Sequence, residues 1–410
     1  MNPSTRPPLK TLADALGELL AQAKPLAAAE PVSTFDADGR VLAQDLVSAL
    51  QVPSFDNSAM DGYALRAADV AAAGVVLPVS QRIAAGSVGA ALAAGTAARI
   101  FTGAPVPDGA DAVVMQEECA ARDDGSVQIN AAVACGQNIR KSGEDIARDS
   151  TIIAAGTRLS PAELGLAASI GCASLQVARR PRVALFSTGD ELVMPGEVAP
   201  QNLPAGSIYN SNRFFLRAML QRLGCEVIDR GIVPDSYEAT VAALQSAAHD
   251  CDLVLTSGGV SVGEEDHIKP AVQALGSLDL WAIAIKPGKP FAYGKVGSSH
   301  FIGLPGNPVS SFVTFALLVR PFVLRLQGVQ NVAPQAVTMR ADFDWLRADR
   351  RQEFLRARIN AQGGLERFAN QSSGVLTSAV WADGLVDNPA GATIARGDLV
   401  RFIPFAQLLG

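Results

Sequence analysis

Histidine, lysine and cysteine are all scarce in this chain, and each scarcity removes a class of chemistry. Three histidines occur in 410 residues, and no two form an HxxxH pair. The usual zinc-ligand patterns are therefore excluded. The five cysteines, Cys119, Cys135, Cys172, Cys225 and Cys251, are odd in number, widely spaced and without a CxxC. They read as reduced, small core residues, which fits the cytoplasm. No GxGxxG opens a helix and no GxxxxGK[ST] occurs, so neither a standard dinucleotide site nor a P-loop is supported. No uninterrupted apolar run reaches the ~18 residues of a membrane span, and the opening MNPSTRPPLK lacks the apolar core of a signal peptide. A net charge of −6 argues against nonspecific nucleic-acid binding, which needs a basic face.

Lysine numbers seven against 27 arginines, and two of the seven lie three apart in a KPGKP run. Arginine supplies most of the surface charge, so a lysine pair held between prolines points to a site rather than a solvated turn. Hydrophobic residues make up 49% of the chain and charged ones 18%, enough apolar side chains for large cores in roughly two to four domains.

Residues 11–20 carry leucines at 12, 16, 19 and 20, a helical spacing that ends before Pro25. From 52 to 150 the chain is rich in Gly, Pro, Asp and β-branched residues in short runs, the pattern of a mostly β lobe. Ser160 followed by Pro161 opens a helix. After Pro181 the texture alternates: VALFS, a helix over 211–223, CEVIDRGIV, a helix capped by Ser236, DLVLT, a helix over 269–275, LDLWAIAI, FAYG, HFIGL, and a long helix over 308–326. That alternation predicts βαβ crossovers and a three-layer α/β domain. The last ~80 residues read as short strands of a small β-barrel or sandwich. The expected fold class is α/β plus β, in several domains.

Three Gly-rich loops follow apolar runs inside the α/β region: SGGVSVGEEDH (257–267), IKPGKP (285–290) and GLPGNP (303–308). A buried strand ending in such a turn leaves backbone N–H groups free and admits a ligand close to the main chain. At the carboxyl edge of a parallel sheet this is where open α/β folds bind ligands. The loops carry Ser257, Gly258, Gly259 and Ser261, the acids Glu264, Glu265 and Asp266, the cations Lys286 and Lys289, and Pro290, Pro305 and Asn307. FSTGDEL adds Asp190 and Glu191 at the same edge, and Asp235 follows the next strand. Carboxylates without His or Cys suit Mg²⁺, which prefers hard ligands and bridges to phosphates. FDNSAMDGYA (55–64) reads equally as an Asx-turn network or a site. GQNIRKSGEDI (136–146) offers Arg140, Lys141, Glu144 and Asp145, either as a phosphate and metal loop or as a surface ion pair.

Taken in order, FDNSAMDGYA, TGAPVP with AVVMQEE, GQNIRKSGED, FSTGDEL, SGGVSVGEEDH, IKPGKPFAYG and GLPGNPVS resemble the molybdopterin molybdenumtransferase, or MoeA, family, which includes the E domain of gephyrin. The resemblance covers nearly the whole chain. It implies four domains: residues 1–50 with 150–180 as a linking and dimerisation domain, 51–149 as the β lobe, 181–328 as a molybdopterin-binding-like α/β domain, and 329–410 as a C-terminal β-barrel. It implies a homodimer in which one subunit's α/β domain faces the other's β lobe. The implied reaction joins the substrate molybdate to the dithiolene of adenylylated molybdopterin and releases AMP, with Mg²⁺. Family positions map onto Asp61, Thr102, Arg140, Asp145, Glu191, Asp235, Asp266, Lys286, Lys289, Arg356 and Ser373. Glu191, Asp235 and Asp266 are then the expected metal ligands. Asp61, Asp145, Asp235, Asp266 and Lys286 are the expected catalytic groups. Relatives can carry a lysine where this chain has Ala282 after Trp281. The adenylyltransferase that makes the substrate, and molybdoenzymes that receive the product, are implied partners. Two competing readings are the adenylyltransferase step itself, since its fold is similar, and a scaffold like gephyrin.

Overall fold

The computed structural model describes residues 9–259 and 267–409. At its centre lies a six-stranded sheet in the order Glu226–Val233, Arg182–Thr188, Leu253–Ser257, Ser299–Leu304, Pro290–Val296, Gly276–Ala282. The first four strands run parallel. Three of them are nearly continuous buried runs because helices cover both faces, while the edge strand Glu226–Val233 carries Glu226, Asp229 and Arg230. Alternate residues serve opposite cores. Val183, Leu185, Leu253, Leu255, Ile302 and Leu304 pack with the helices Leu12–Gln22, Ser211–Arg222 and Pro308–Leu326. Ala184, Phe186, Val254 and Phe301 pack with Tyr237–Asp250 and Ile268–Leu275. The three-layer arrangement follows from that alternation.

One strand departs from the expected run of parallel crossovers. Pro290–Val296 is antiparallel to both Ser299–Leu304 and Gly276–Ala282. Only residues 297 and 298 separate Val296 from Ser299, a hairpin turn, whereas a crossover needs a dozen residues or more. Gly276–Ala282 thereby still ends at the carboxyl edge, and Pro290–Val296 starts there.

Helix starts follow the sequence signals closely. Thr11 caps Leu12–Gln22 by accepting from Asp14 N. Ser160 and Glu163 form a reciprocal capping box on Pro161–Ser169. Ser236 caps Tyr237–Asp250. Pro308–Leu326 contains a π turn at Phe315–Val319. Pro321 lacks the N–H that would bond the carbonyl four residues back, so the ladder is already broken there. This helix has the span expected from the sequence, and at 19 residues and mean hydropathy 1.6 it is long and apolar enough to cross a membrane by length and composition alone. Its window is 89% buried inside the protein, so it is a core helix.

The β lobe holds a sheet in the order Ala112–Met115, Gly62–Leu65, Ala97–Ile100, Val75–Ile83, Ser126–Ile129, Cys119–Ala121. Ala29–Ser33 pairs with Ser174–Ala178, and Leu46–Val47 with Thr151–Ile153. Ala37, Leu42, Ile153, Leu159, Ala167, Leu175 and Val177 form a separate small core around them. A C-terminal sheet runs Ile285–Lys286, Gln352–Ile359, Gly384–Asn388, Leu399–Pro404, Val337–Arg340, with Leu365–Arg367 on Gln352–Ile359. Its first strand comes from the IKPGKP loop of the α/β region.

Candidate functional site

A cavity of about 760 Å³ opens at the carboxyl edge of the central sheet. Glu191, Asp235, Ser257, Gly258, Gly259, Pro290, Pro305 and Asn307 all line it, as the loop reading expected. Gly258 has φ +93°, and a Cβ there would lie 2.9 Å from Thr188 O. The loop after Leu253–Ser257 thus needs glycine both for its backbone and for its approach to the neighbouring strand. Gly258→Ala is expected to cost roughly 1–2 kcal/mol for the left-handed backbone alone. Thermal unfolding should read that loss.

Helix N-termini meet the cavity, a feature the sequence reading did not use: His267 and Ile268 bring the start of Ile268–Leu275, and two longer helices also begin there. Ser211–Arg222 begins there, with Asn210 Oδ1 accepting from Arg213 N at 3.2 Å. The Asn210 side chain is 2% exposed and its Nδ2 has no partner among the described residues. The signal available in the sequence was an Asn immediately ahead of a helical pattern. The second N-terminus is that of Pro308–Leu326, where Asn307 makes no side-chain cap bond. Asn212 Nδ2 donates to Gly306 O at 2.7 Å and ties the two together. Helix N-termini with free N–H groups attract anions. Thr188 Oγ1, also on the cavity wall, is likewise buried and unpartnered among the described residues. Glu191 and Asp235 add oxygen donors. Asp235 N donates to Asp190 Oδ1 at 3.4 Å, so Asp190 supports the Asp235 loop. Ser261 and Asp266, expected here as ligand and metal-binding residues, lie outside the described residues, as do Glu264 and Glu265.

Residues 10–171 match the MoeA N-terminal region (domains I and II), residues 184–325 the probable molybdopterin binding domain, and residues 338–405 the MoeA C-terminal region (domain IV). The molybdopterin molybdenumtransferase of Haemophilus influenzae is 38% identical over 406 residues, spanning 98% of this chain and 100% of that one. This chain belongs to the MoeA family. Molybdopterin molybdenumtransferase 2 of Mycobacterium tuberculosis is 39% identical over 372 residues, 86% of this chain and 89% of that one. In structure, the molybdopterin biosynthesis MoeA protein of Pyrococcus horikoshii superposes with a TM-score of 0.85 at 29% identity, covering 97% of this chain and all of the other.

The remaining positions mapped from the MoeA family fall in three places. Asp61 and Thr102 form one unit on the β lobe: Asp61 Oδ1 accepts from Thr102 N and from Thr102 Oγ1, both at 2.8 Å. Those bonds stabilise the ionised form and hold the Asp61 carboxyl below its usual range. Arg140 pairs with Asn57 across a two-residue ladder, and Asp145 N bonds Val52 O at 3.0 Å. Lys141 reaches Asp56 at 2.7 Å. The lobe group is therefore one face made from FDNSAMDGYA, TGAPVP and GQNIRKSGED, and none of it lines the cavity among the described residues.

Arg356 takes a buried place. It is 1% exposed, and its guanidinium donates to Ser378 Oγ at 3.1 Å, Phe354 O at 3.1 Å and Ser372 O at 3.4 Å. Burial pulls its pKa down to about 10. It braces the loop containing Ser373, whose carbonyl accepts from Val309 N at 2.9 Å and whose neighbour Gly374 lines the cavity. Lys286 lines a second cavity of about 610 Å³ with Trp345, Asp349 and Arg351. Lys289 is exposed and without a side-chain partner among the described residues. Beside Ala282, Lys10 N donates to Ala282 O at 2.9 Å and Lys10 Nζ lies 4.4 Å from the Trp281 ring centroid.

Proposed function

We propose that this protein joins molybdate to the dithiolene of adenylylated molybdopterin and releases AMP, a Mg²⁺-dependent step of molybdenum cofactor biosynthesis. The observation that carries the reading is the cavity where three helix N-termini, three positive-φ glycines and two carboxylates meet, in a chain matched along its length by molybdenumtransferases. An adenylylated pterin carries a pyrophosphate linkage, and free N–H groups at helix starts suit its oxygens. The terminal regions matched on either side of the α/β domain weigh against a stand-alone adenylyltransferase.

The donor chemistry fits Mg²⁺. Among the described residues no group of three or more His, Cys, Asp or Glu gathers for a metal. An ion that keeps several waters and shares substrate phosphates needs only one or two protein carboxylates. Glu191 and Asp235 would hold it, with Asp266 as a further candidate. When bound, Mg²⁺ supplies charge that stabilises a leaving phosphate. This chain's own groups orient the linkage along the loops of Ser257–Gly259 and Pro305–Asn307, and Lys289, Ser373 and the Arg356-braced loop receive the molybdate. Asp61, held ionised by Thr102, together with Arg140 and Asp145, completes the site from a partner subunit's lobe. Phe35, 94% exposed, offers one apolar contact for such a homodimer.

Residues 1–50 with 150–180, 51–149, 181–328 and 329–410 serve as the four domains of this reading. Separate small clusters in the β lobe, around 150–180 and in the C-terminal sheet support the division, while Leu12–Gln22 and the inner side of the C-terminal sheet share the core of the α/β domain. An isolated bridge between Ala341 and Leu365 supports closure of the C-terminal sheet into a barrel. Function in the cytoplasm accords with the free cysteines. The test is direct: purified protein mixed with adenylylated molybdopterin, Mg²⁺ and molybdate should release AMP. Release that never occurs, or that ignores molybdate, would sink the reading.

A further inference from the structure

The two lysines of the KPGKP run part company in the fold. Lys289 is exposed, and its ammonium has no partner among the described residues. Lys286 Nζ lies 2.8 Å from Glu353 Oε1 and 3.3 Å from Asp349 Oδ2. Glu353 is 1% exposed. Its other oxygen accepts from Trp345 Nε1 at 2.6 Å and Asn388 Nδ2 at 3.4 Å. Asp349 is held in turn by Arg351 at 2.9 Å. The backbone follows the same docking: Ile285 and Lys286 pair in parallel with Gln352 and Glu353, and Gln352 N donates to Ala284 O at 2.8 Å. On the loop's other side, Gly288 at φ +107° packs so tightly that a Cβ would fall 2.3 Å from Thr314 Oγ1.

We infer that the two cations divide the work: Lys286 is a positioning residue, locked to the buried Glu353 carboxylate to seat the loop on the C-terminal sheet, and Lys289 is the cation that meets the oxyanion. The identity of that oxyanion rests on the function proposed above. A cation neutralised by two carboxylates offers little field to a dianion, and the same carboxylates repel the dianion. Withdrawing Lys286 toward a ligand would strand Glu353 in the interior without its counter-charge, an arrangement proteins tolerate poorly. Lys289 has neither restraint. Its compact, mobile charge sits at the end of a loop that Lys286, Glu353 and Thr314 already hold still, so binding loses little further loop entropy. Glu353, on a sheet that contributes no carboxylate to the main cavity, thus acts on the reaction through Lys286.

The test compares Lys286→Gln, Glu353→Gln, the double variant, and Lys289→Gln with and without Glu353→Gln. Half-saturating molybdate and the thermal midpoint are read for each. Lys286→Gln should raise the molybdate requirement about tenfold, as expected when a loop loses its geometry, and should lower the midpoint. The double variant should regain most of both losses, because two neutral amides can bond each other and residue 353 still accepts from Trp345. Glu353→Gln should not rescue Lys289→Gln. If Lys286 itself touches the anion, the double variant will recover its midpoint but keep the impaired molybdate dependence, and the division of labour is overturned. A second arm needs no turnover. Acetylation of the intact protein with an N-hydroxysuccinimide ester, read by peptide mass spectrometry, should modify Lys289 well before Lys286, and Glu353→Gln should narrow that difference, with Asp349 still holding part of it. Equal rates in the wild type would overturn the latch. A wild type that labels as expected but releases no AMP would count against the proposed reaction and leave the latch standing.

Discussion

Asp61→Ala and Glu191→Gln, each nearly inactive alone, should recover activity when mixed and allowed to exchange subunits. Asp61 sits with Thr102 on the β lobe and Glu191 sits on the wall of the main cavity, and no described contact joins the two within one chain. If the lobe of one subunit completes the cavity of the other, a mixed dimer holds one intact site and one doubly damaged site. Random exchange then gives about a quarter of the wild-type activity, by the statistics of a two-fold dimer. Each variant alone should fall roughly a hundredfold or more in AMP release, since each removes a charge from preorganised polar machinery. Glu191→Gln changes volume little, so its midpoint should stay near that of the wild type. Proven heterodimers without recovered activity would rule out a shared site.

Lys289→Gln should raise the molybdate concentration for half-maximal turnover by about tenfold or more, the scale of a lost hydrogen bond to a charged group. High molybdate should restore much of the rate. Binding of the adenylylated pterin should change far less, since the loops at Gly258 and Asn307 and the helix N-termini lie along the main cavity wall. Kinetics at varied molybdate, alongside direct titration of the pterin, separate the two. A variant that loses pterin binding while its molybdate dependence stays unchanged would move the anion pocket elsewhere.

Local signals were legible wherever one residue type has one physical use. Ser160 and Ser236 marked helix starts because their hydroxyls cap free N–H groups. The alternating apolar runs after Pro181 marked strands covered on both faces. The convergence of Glu191, Asp235, Ser257 and Asn307 was legible once those runs were placed in one sheet with their ends on one edge. What stayed hidden depended on partners far away in sequence. Pro290–Val296 is antiparallel because of a two-residue turn whose consequence appears only when strand order is known. Arg356 looks like any basic residue in FLR, yet its guanidinium is consumed by Phe354, Ser372 and Ser378. That Asn210 Nδ2 has no partner among the described residues is a property of its surroundings, and no spacing rule announces it. The difference between Lys286 and Lys289 is of the same kind: identical residues, three apart, separated by what sits opposite them.

The strand Ile285–Lys286 has a consequence for how this protein can be taken apart. Similarity to known families divides the chain between 325 and 338, but the hydrogen bonds do not respect that seam. A fragment ending near 328 would keep the loop and lose the edge that shapes it, leaving Lys286 without Glu353 and Asp349. A C-terminal fragment would keep Gln352–Ile359 with a bare flank where Ile285–Lys286 had been, the kind of open edge that invites pairing with other chains. Chimeras that exchange the C-terminal region between relatives therefore need to carry the IKPGKP loop with it, or a matched residue at 353. The unit of inheritance for this corner of the enzyme is the pair, and a crossover between them separates a lock from its key.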